Sequence, residues 1–139
     1  MHIIRTLLKR VTTSTDPRKK QGDEGEEAAA RHLSRNGLKI LVRQYRCKLG
    51  EIDLVAREGD TLVFVEVKTR ATKDFGDPSD AVTPEKQRHI SRVALDYLRR
   101  LHNPEIPVRF DIVEVLMSGD NMECNHIPNA FGLSEPYIY

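Results

Sequence analysis

Two short apolar runs near the middle of the chain, residues 52–56 and 62–67, flank the turn-forming pair Gly59-Asp60. β-Branched and aromatic residues on either side of such a pair are typical of a β-hairpin. With this pair as a two-residue loop, Asp53 lies opposite Glu66. Both faces of the hairpin are mostly apolar, which predicts central strands that are covered on both sides.

The same register predicts a crowded group of charges. Asp53, Glu66 and Lys68 emerge on one face because side chains alternate along a strand. Two carboxylates about 5 Å apart repel by roughly 3 kcal/mol at an effective dielectric near 20. Protonation of one acid, pairing with Lys68, or a bound divalent cation would relieve this repulsion. We favour the cation, because carboxylates and waters hold Mg²⁺ in phosphate chemistry. The alternative is a structural ion network of Glu51 and Glu66 with Lys68.

A first helix is predicted from Asp23, as N-cap, to Asn36, with Gly37 as the residue that ends it. Its buried stripe includes Leu33, and Glu26 lies seven residues earlier on the same stripe. Glu26 is therefore predicted to point inward. An alternative explanation is a capping box, in which the Glu26 side chain binds the amide of Asp23.

A second helix begins after Thr83, the predicted N-cap, with Pro84 at its first position. Apolar residues follow at helical spacing as far as Leu101. The remaining predicted strands cover residues 38–47 and 108–116. The order is therefore helix, three strands, helix, strand.

Charge is unevenly distributed, although the formal net charge of the chain is only +1. Residues 1–20 carry six Lys or Arg and one acid, whereas residues 110–139 contain no Lys or Arg. This polarity suggests one side that accepts phosphate. Four candidate nucleic-acid contacts lie in a loop and in the first turn of the second helix: Arg70, Lys73, Lys86 and Gln87. The alternative is that these side chains are only solvated.

The length of 139 residues predicts one domain. We divide it into a basic, flexible lead-in at 1–21, a folded domain at 22–116 and an irregular tail at 117–139. Two cysteines make no disulfide framework, so a reduced, cytoplasmic protein is expected. No apolar run approaches the roughly 18 residues of a membrane span.

Several ordered motifs together resemble a known family. They are Gly25-Glu26-x-x-Ala29, Gly50-Glu-Ile-Asp-Leu54, Phe64-Val-Glu-Val-Lys68, Phe75-Gly76, Lys86-Gln87 and Arg109-Phe-Asp111. The set resembles the YraN-like family of predicted endonucleases, and Asp53…Glu66-x-Lys68 resembles the PD-(D/E)xK signature of the restriction-endonuclease-like superfamily. The YraN-like family is similar in turn to archaeal Holliday junction resolvases.

The resemblance implies an α/β fold with a restriction-endonuclease-like αβββαβ core, in which a central mixed sheet is flanked by helices. It implies that Asp53 and Glu66 bind Mg²⁺ or Mn²⁺, with Glu26 as a further acid of the metal shell. Lys68 is implied to be catalytic, where it can orient or deprotonate a water and balance charge in the transition state.

The leading hypothesis is therefore a metal-dependent DNA endonuclease that cuts branched or otherwise irregular DNA. One alternative is a nucleic-acid-binding accessory module of the same fold without catalysis. Another is an interaction protein in which the acids and the lysine form a structural network. A homodimer is compatible with the leading hypothesis, since symmetric cutting of two strands needs two sites.

Overall fold

The computed structural model describes residues 17–71 and 82–134, which form two helices and one five-stranded sheet. The elements are α1 (Pro17–Arg35), β1 (Lys39–Cys47), β2 (Gly50–Glu58), β3 (Thr61–Arg70), α2 (Pro84–Arg100), β4 (Val108–Ser118) and β5 (Asn121–Phe131). The strands lie in the sheet in chain order, and only the β3–β4 pair is parallel. The predicted α/β architecture with a mixed sheet flanked by helices is confirmed, and β5 extends the expected αβββαβ core.

The β2–β3 hairpin has the predicted register from its turn as far as Leu54 and Val65, but the predicted pairing of Asp53 with Glu66 is not formed. Pairs run from Glu58↔Thr61 at the turn to Leu54↔Val65, and Gly59 adopts φ 57°. Glycine takes this left-handed conformation without the steric penalty of a Cβ, so the turn fixes the register of both strands. The regular ladder ends at the Leu54–Val65 pair, just before the two acids.

The two helices cover opposite faces of the sheet. The α1 face holds Ala28, Ala29, Ala30, Leu33, Leu54, Ala56, Val63, Val65, Val113 and Val115. The α2 face holds Val42, Tyr45, Ile52, Val55, Phe64, Ile90, Val93, Ala94, Tyr97, Leu98, Phe110 and Ile112, among others. Residues 62–65 of β3 and 54–56 of β2 alternate between these cores, as the pleat requires, whereas Ile52 and Leu54, two residues apart on either side of Asp53, lie in different cores. Tyr97 lies edge-on against Phe64 with ring centroids 5.8 Å apart. Each such buried side chain contributes about 2 kcal/mol from burial.

Helix α1 begins six residues earlier than predicted. It starts at Pro17, so Asp23 lies inside the helix and is not its N-cap. The first turns are polar and contain Gly22, and they therefore lack the apolar periodicity that marks a helix in sequence. The C-terminus is as predicted, because Gly37 has φ 94° and the amide of Leu38 donates to the Leu33 carbonyl over 3.0 Å. The capping-box explanation of Glu26 is thus wrong.

The predicted irregular tail, 117–139, is wrong over residues 117–131, since β4 continues to Ser118 and β5 follows it, and residues 135–139 lie outside the described part of the chain. Phe131 stacks on Phe110 with ring centroids 5.2 Å apart, which docks β5 on the α2 face. On the other face, the fully buried Asp111 accepts hydrogen bonds from Arg109 and from the Asn129 amide, and contacts His126 Nε2. The folded domain therefore reaches from Pro17 to at least Phe131.

Helix α2 is confirmed in detail. Thr83 is the N-cap, its side chain accepts from the Lys86 amide over 3.1 Å, and Pro84 opens the helix. No helix of the described segments is long and apolar enough to cross a membrane. Lys73, the Phe75-Gly76 motif and most of the predicted lead-in lie outside the described residues.

Candidate functional site

Asp53 lies where β2 and β3 cease to pair. Its Oδ2 accepts a hydrogen bond from the backbone amide of Val67 over 2.8 Å. This bond takes the place of the next rung of the ladder and holds the carboxyl group between the two strands. Burial raises the pKa of Asp53, while the Val67 amide and the positive charge of Lys86 act in the opposite direction. Asp53 is thus an acid largely removed from water, and the backbone amide of Val67 holds its carboxyl group in place.

Glu66 extends from β3 beside Asp53 and is also buried, with 7% of the residue exposed. Burial, followed by the charge of Asp53, raises the pKa of Glu66 from 4.5 to about 7. Two ammonium groups oppose this shift from the solvent side, because the Nζ atoms of Lys68 and Lys86 lie 3.7 Å and 3.9 Å from Glu66 Oε1. Lys68 is therefore placed next to the acid, as its spacing in the sequence predicted.

Glu26 reaches the same point from α1. Gly25 makes this approach feasible, because a Cβ at Gly25 would lie 2.0 Å from Thr69 Oγ1. The helix therefore packs closely on the end of β3, and the next side chain along the helix lies at the acids. Burial raises the pKa of Glu26 to about 7, with further contributions from the charge of Asp53 and a hydrogen bond to it. A hydrogen bond from Gln44 Nε2 over 2.8 Å lowers this pKa in part.

These three side chains, Glu26, Asp53 and Glu66, are referred to below as the acid cluster. The pKa of each of the three acids is raised, and Asp53 is in contact with both glutamates. The folded protein therefore favours the protonated, uncharged form of these acids. A divalent cation would supply the same relief near neutral pH, and all the donors are the hard oxygens that Mg²⁺ and Mn²⁺ accept. The donor set fits such an ion.

The side chains are not already arranged as ligands. Within residues 17–71 and 82–134, no three His, Cys, Asp or Glu side chains stand ready to hold a metal ion. Glu26 is directed to Gln44, and Glu66 to the two lysines. Closing the acid cluster on a cation therefore requires rotation of the Glu66 side chain away from the lysines, whereas the Gln44 bond engages only one of the two carboxylate oxygens of Glu26.

Solvent reaches Glu26 of the acid cluster from both sides of α1. One cleft of about 290 Å³ is lined by Gln21, Gly22, Glu26, Val67, Lys68 and Thr69. A second, of about 150 Å³, is lined by Asp23, Glu26, Glu27, Arg43 and Gln44. In the described part of the chain, no arginine pairs with Asp53 or Glu66. Glu26 and Lys68 thus line clefts open to solvent, whereas Asp53 and Glu66 line neither of the two.

The predicted nucleic-acid contacts have different surroundings. Lys86 lies at the acid cluster, whereas Gln87 donates its side-chain amide to the Val82 carbonyl over 2.9 Å. Arg70 has a side chain only 13% exposed, with its Nε 3.5 Å from Glu114 Oε2. Arg70 is therefore held mainly inside the protein, and Lys86 is the better placed to meet a phosphate.

Sequence reasoning missed Gln44, which contacts Glu26 and occupies the register position opposite Asp53. The sequence could have indicated this position. If Lys48-Leu49 is taken as a two-residue turn, the β1–β2 register places Gln44 opposite Asp53. It also missed Glu114, a buried acid paired in register with Lys68 on the neighbouring strand.

Residues 25–115 match the sequence profile described as "Uncharacterised protein family UPF0102". A UPF0102 protein of Caldicellulosiruptor saccharolyticus is 50% identical over 112 residues, which cover 79% of this chain and 95% of that protein. One of Geobacter metallireducens is 47% identical over 116 residues, covering 84% and 95%.

Among solved structures, "The structure of Pyrococcus Furiosus SfsA in complex with Ca2+" matches with 14% identity and a TM-score of 0.38. This match covers 79% of the present chain and 63% of that chain, and a likeness at this level carries no functional information. The matched profile covers α1 from Gly25 onward, the hairpin and α2, and it includes Glu26, Asp53, Glu66, Lys68 and Lys86. The chain belongs to the UPF0102 family, as the YraN-like resemblance led us to expect.

Proposed function

We propose that this protein is a Mg²⁺- or Mn²⁺-dependent DNA endonuclease that hydrolyses phosphodiester bonds in branched or otherwise irregular DNA. The observation that carries the proposal is the convergence of Glu26, Asp53 and Glu66, with Lys68 and Lys86 beside them, at the open end of the sheet. Buried acids with raised pKa values next to specific charge partners mark functional sites more often than ordinary surfaces.

Each residue has a role that follows from its position. Asp53 and Glu66 would hold the ion, and Glu26 would complete or tune its shell. When bound, the ion polarises a phosphoryl oxygen and makes hydroxide available near neutral pH. Lys68 Nζ, beside Glu66, can orient or deprotonate the attacking water and balance charge in the transition state.

Lys86 supports a phosphate-binding face next to these acids. It lies in the first turn of α2, where the positive end of the helix dipole favours anions. Arg88 and Arg92 follow on the exposed face of the same helix. The choice of a branched substrate rests on the resemblance to Holliday junction resolvases, so it is tested by comparing substrates.

The experiment is cleavage of duplex, single-stranded and four-way-junction DNA with Mg²⁺ or Mn²⁺, with chelation by EDTA as one control. Wild type should cut, with a preference for the junction, and Glu66→Ala should not. The matched control is Glu58→Ala, which removes an acid from the opposite end of β2, where it pairs with Arg109. Equal cleavage by wild type and Glu66→Ala would show that this site does not cut DNA.

A second candidate is a nucleic-acid-binding module without catalysis. It is favoured by the orientation of Glu66 toward two lysines, with no ready-made metal site in the described residues. It predicts DNA binding that weakens with salt, because phosphate contacts release counterions. That binding would survive Asp53→Asn, and no cleavage would accompany it.

A further inference from the structure

Gln44 has an unusual backbone for a strand residue. It lies inside β1 between the pairs Arg43↔Leu54 and Tyr45↔Ile52, and this register places it opposite Asp53. Its φ is 53°, in the left-handed region. Residues with a Cβ meet a steric penalty there, and such strain persists only where the surrounding structure enforces it.

The residue type makes this conformation more informative. The other positive-φ residues that are not glycine are His102, Asn103 and Asn129 in the described chain. Histidine and asparagine are among the side chains that tolerate left-handed backbone best. His102 and Asn103 also directly follow the end of α2. Gln44 has neither the favourable side chain nor the helix terminus, so another interaction must hold it.

The side chain supplies that interaction. Gln44 Nε2 donates to Glu26 Oε2 over 2.8 Å and reaches Asp23 Oδ1 at 3.5 Å. On its other side, Arg46 Nη2 donates to Gln44 Oε1 over 3.3 Å, while Arg46 Nε is anchored on Glu51 over 3.0 Å.

This chain of contacts determines which way the amide faces. A guanidinium can only donate hydrogen bonds, so the amide oxygen must face Arg46 and the NH₂ group must face Glu26. A flipped amide would set donor against donor at Arg46 and acceptor against acceptor at Glu26. The edge strand thus presents a single, oriented donor to one member of the acid cluster.

We propose that Gln44 is a positioning residue for the metal-dependent reaction, and that its amide fixes the carboxylate of Glu26 at the acid cluster. The inference rests on the proposed function, since it assumes that the acid cluster binds a divalent ion. Hydrogen-bonding partners of metal ligands orient those ligands. Gln44 acts through Glu26 and need not touch the DNA.

Two substitutions separate this role from a purely structural one. Gln44→Gly removes the amide and suits the left-handed backbone, whereas Gln44→Ala removes the amide and keeps the steric penalty. Asn129→Gly is the matched control, because Asn129 has φ 52° in the remote strand β5 and bonds through its backbone amide, which glycine retains. Thermal melts of the full chain are recorded over a range of Mn²⁺ concentrations, and junction cleavage is measured in parallel.

Without metal, Gln44→Gly should melt at or above the wild-type temperature, and Gln44→Ala below Gln44→Gly. With Mn²⁺, both variants should need roughly tenfold more metal than wild type for the same rise in melting temperature, the lower end of the loss expected for a ligand's partner. Cleavage at limiting Mn²⁺ should fall correspondingly, and Asn129→Gly should match wild type.

Three outcomes overturn the inference. If Gln44→Gly responds to Mn²⁺ as wild type does, the amide does not position Glu26. If Gln44→Gly melts far below wild type without metal and responds normally to Mn²⁺, the residue is structural. If wild type shows neither a Mn²⁺-dependent melt nor cleavage, the proposed function fails and the inference fails with it. Should Gln44→Gly not fold, Arg46→Met, which frees the amide to rotate, provides the same comparison.

Discussion

Glu66→Gln should stabilise the metal-free protein above neutral pH. The pKa of Glu66 is raised from 4.5 to about 7 in the folded chain. At about 1.4 kcal/mol per pKa unit, ionising this buried acid in the folded state is unfavourable by roughly 3 kcal/mol. The nearby ammonium groups of Lys68 and Lys86 are already included in this balance, since both lower the pKa. Glutamine keeps the shape of the side chain and removes the charge.

The sign of the pH dependence follows from linkage. A raised folded-state pKa means that the folded protein binds more protons at Glu66, so the contribution of Glu66 to stability is fully present below pH 4.5 and is lost as the pH rises to about 7. Glu66→Gln does not titrate at this position. Its advantage should therefore be absent near pH 4 and complete by about pH 8, where it corresponds to a melting temperature higher by about 10 °C.

The assay is thermal unfolding of both proteins near pH 4 and above pH 8, with and without millimolar Mg²⁺. Bound metal should raise the melting temperature of wild type and have little effect on Glu66→Gln, which has lost one charged ligand. Glu58→Gln, at the far end of β2, is the control and should respond like wild type. If Glu66→Gln is instead less stable than wild type at high pH without metal, Glu66 belongs to a structural ion network with Lys68 and Lys86.

Three further perturbations test separate parts of the structure. Gly25→Ala should lower the free energy of unfolding by about 1–3 kcal/mol, because its Cβ overlaps Thr69, and chemical denaturation in a double-mutant cycle with Thr69→Ala should show coupling. Asp111→Ala should destabilise by about 3–5 kcal/mol by leaving buried donors without their acceptor, and an unchanged urea midpoint would contradict this. Lys68→Met should lower kcat of cleavage at least about 100-fold, whereas Lys86→Met should mainly raise KM; equal effects on kcat would contradict the assigned roles.

The parts of the fold that were predicted correctly are those with strong local signals. The Gly59-Asp60 turn between two β-rich runs permits one favoured register, and the structure has it. Thr83 and Pro84 mark the start of α2 by a cap and a fixed φ, neither of which depends on distant residues. In both places tertiary packing stabilises the same local structure that the sequence favours.

The errors occur where distant contacts outweigh local preference. The strand β5 contains Pro128 and is largely exposed, and it is held by its ladder with β4 and by contacts such as Phe131 on Phe110. The early turns of α1 are polar, and Gln21 contacts Met117 nearly a hundred residues away in sequence. No local pattern encodes such contacts.

The residues of the acid cluster differ in how far the sequence predicted their positions, because some depend on local pairing and others on distant contacts. Asp53, Glu66 and Lys68 share a hairpin, so the Gly59-Asp60 turn brings them close, although Asp53 lies where the ladder ends and the alternation of β2 is interrupted. Glu26 could be placed only as pointing inward, since the crossing of α1 over β3 at Thr69 is a tertiary feature. Gln44 was missed because glutamine has no recognised preference for left-handed backbone, and its position opposite Asp53 follows only once β1 is paired with β2 through the Lys48-Leu49 turn.

The left-handed residues also influence what happens at the borders of the sheet. β1 and β5 are its outer strands, and each contains one such residue, Gln44 and Asn129. An outer strand offers a row of free amides and carbonyls that another chain can extend. A residue turned to positive φ breaks that row, and in β5 the neighbouring Pro128 removes a donor as well. The distortion that aims the Gln44 amide at Glu26 thereby also interrupts the row of edge groups that another strand would pair with.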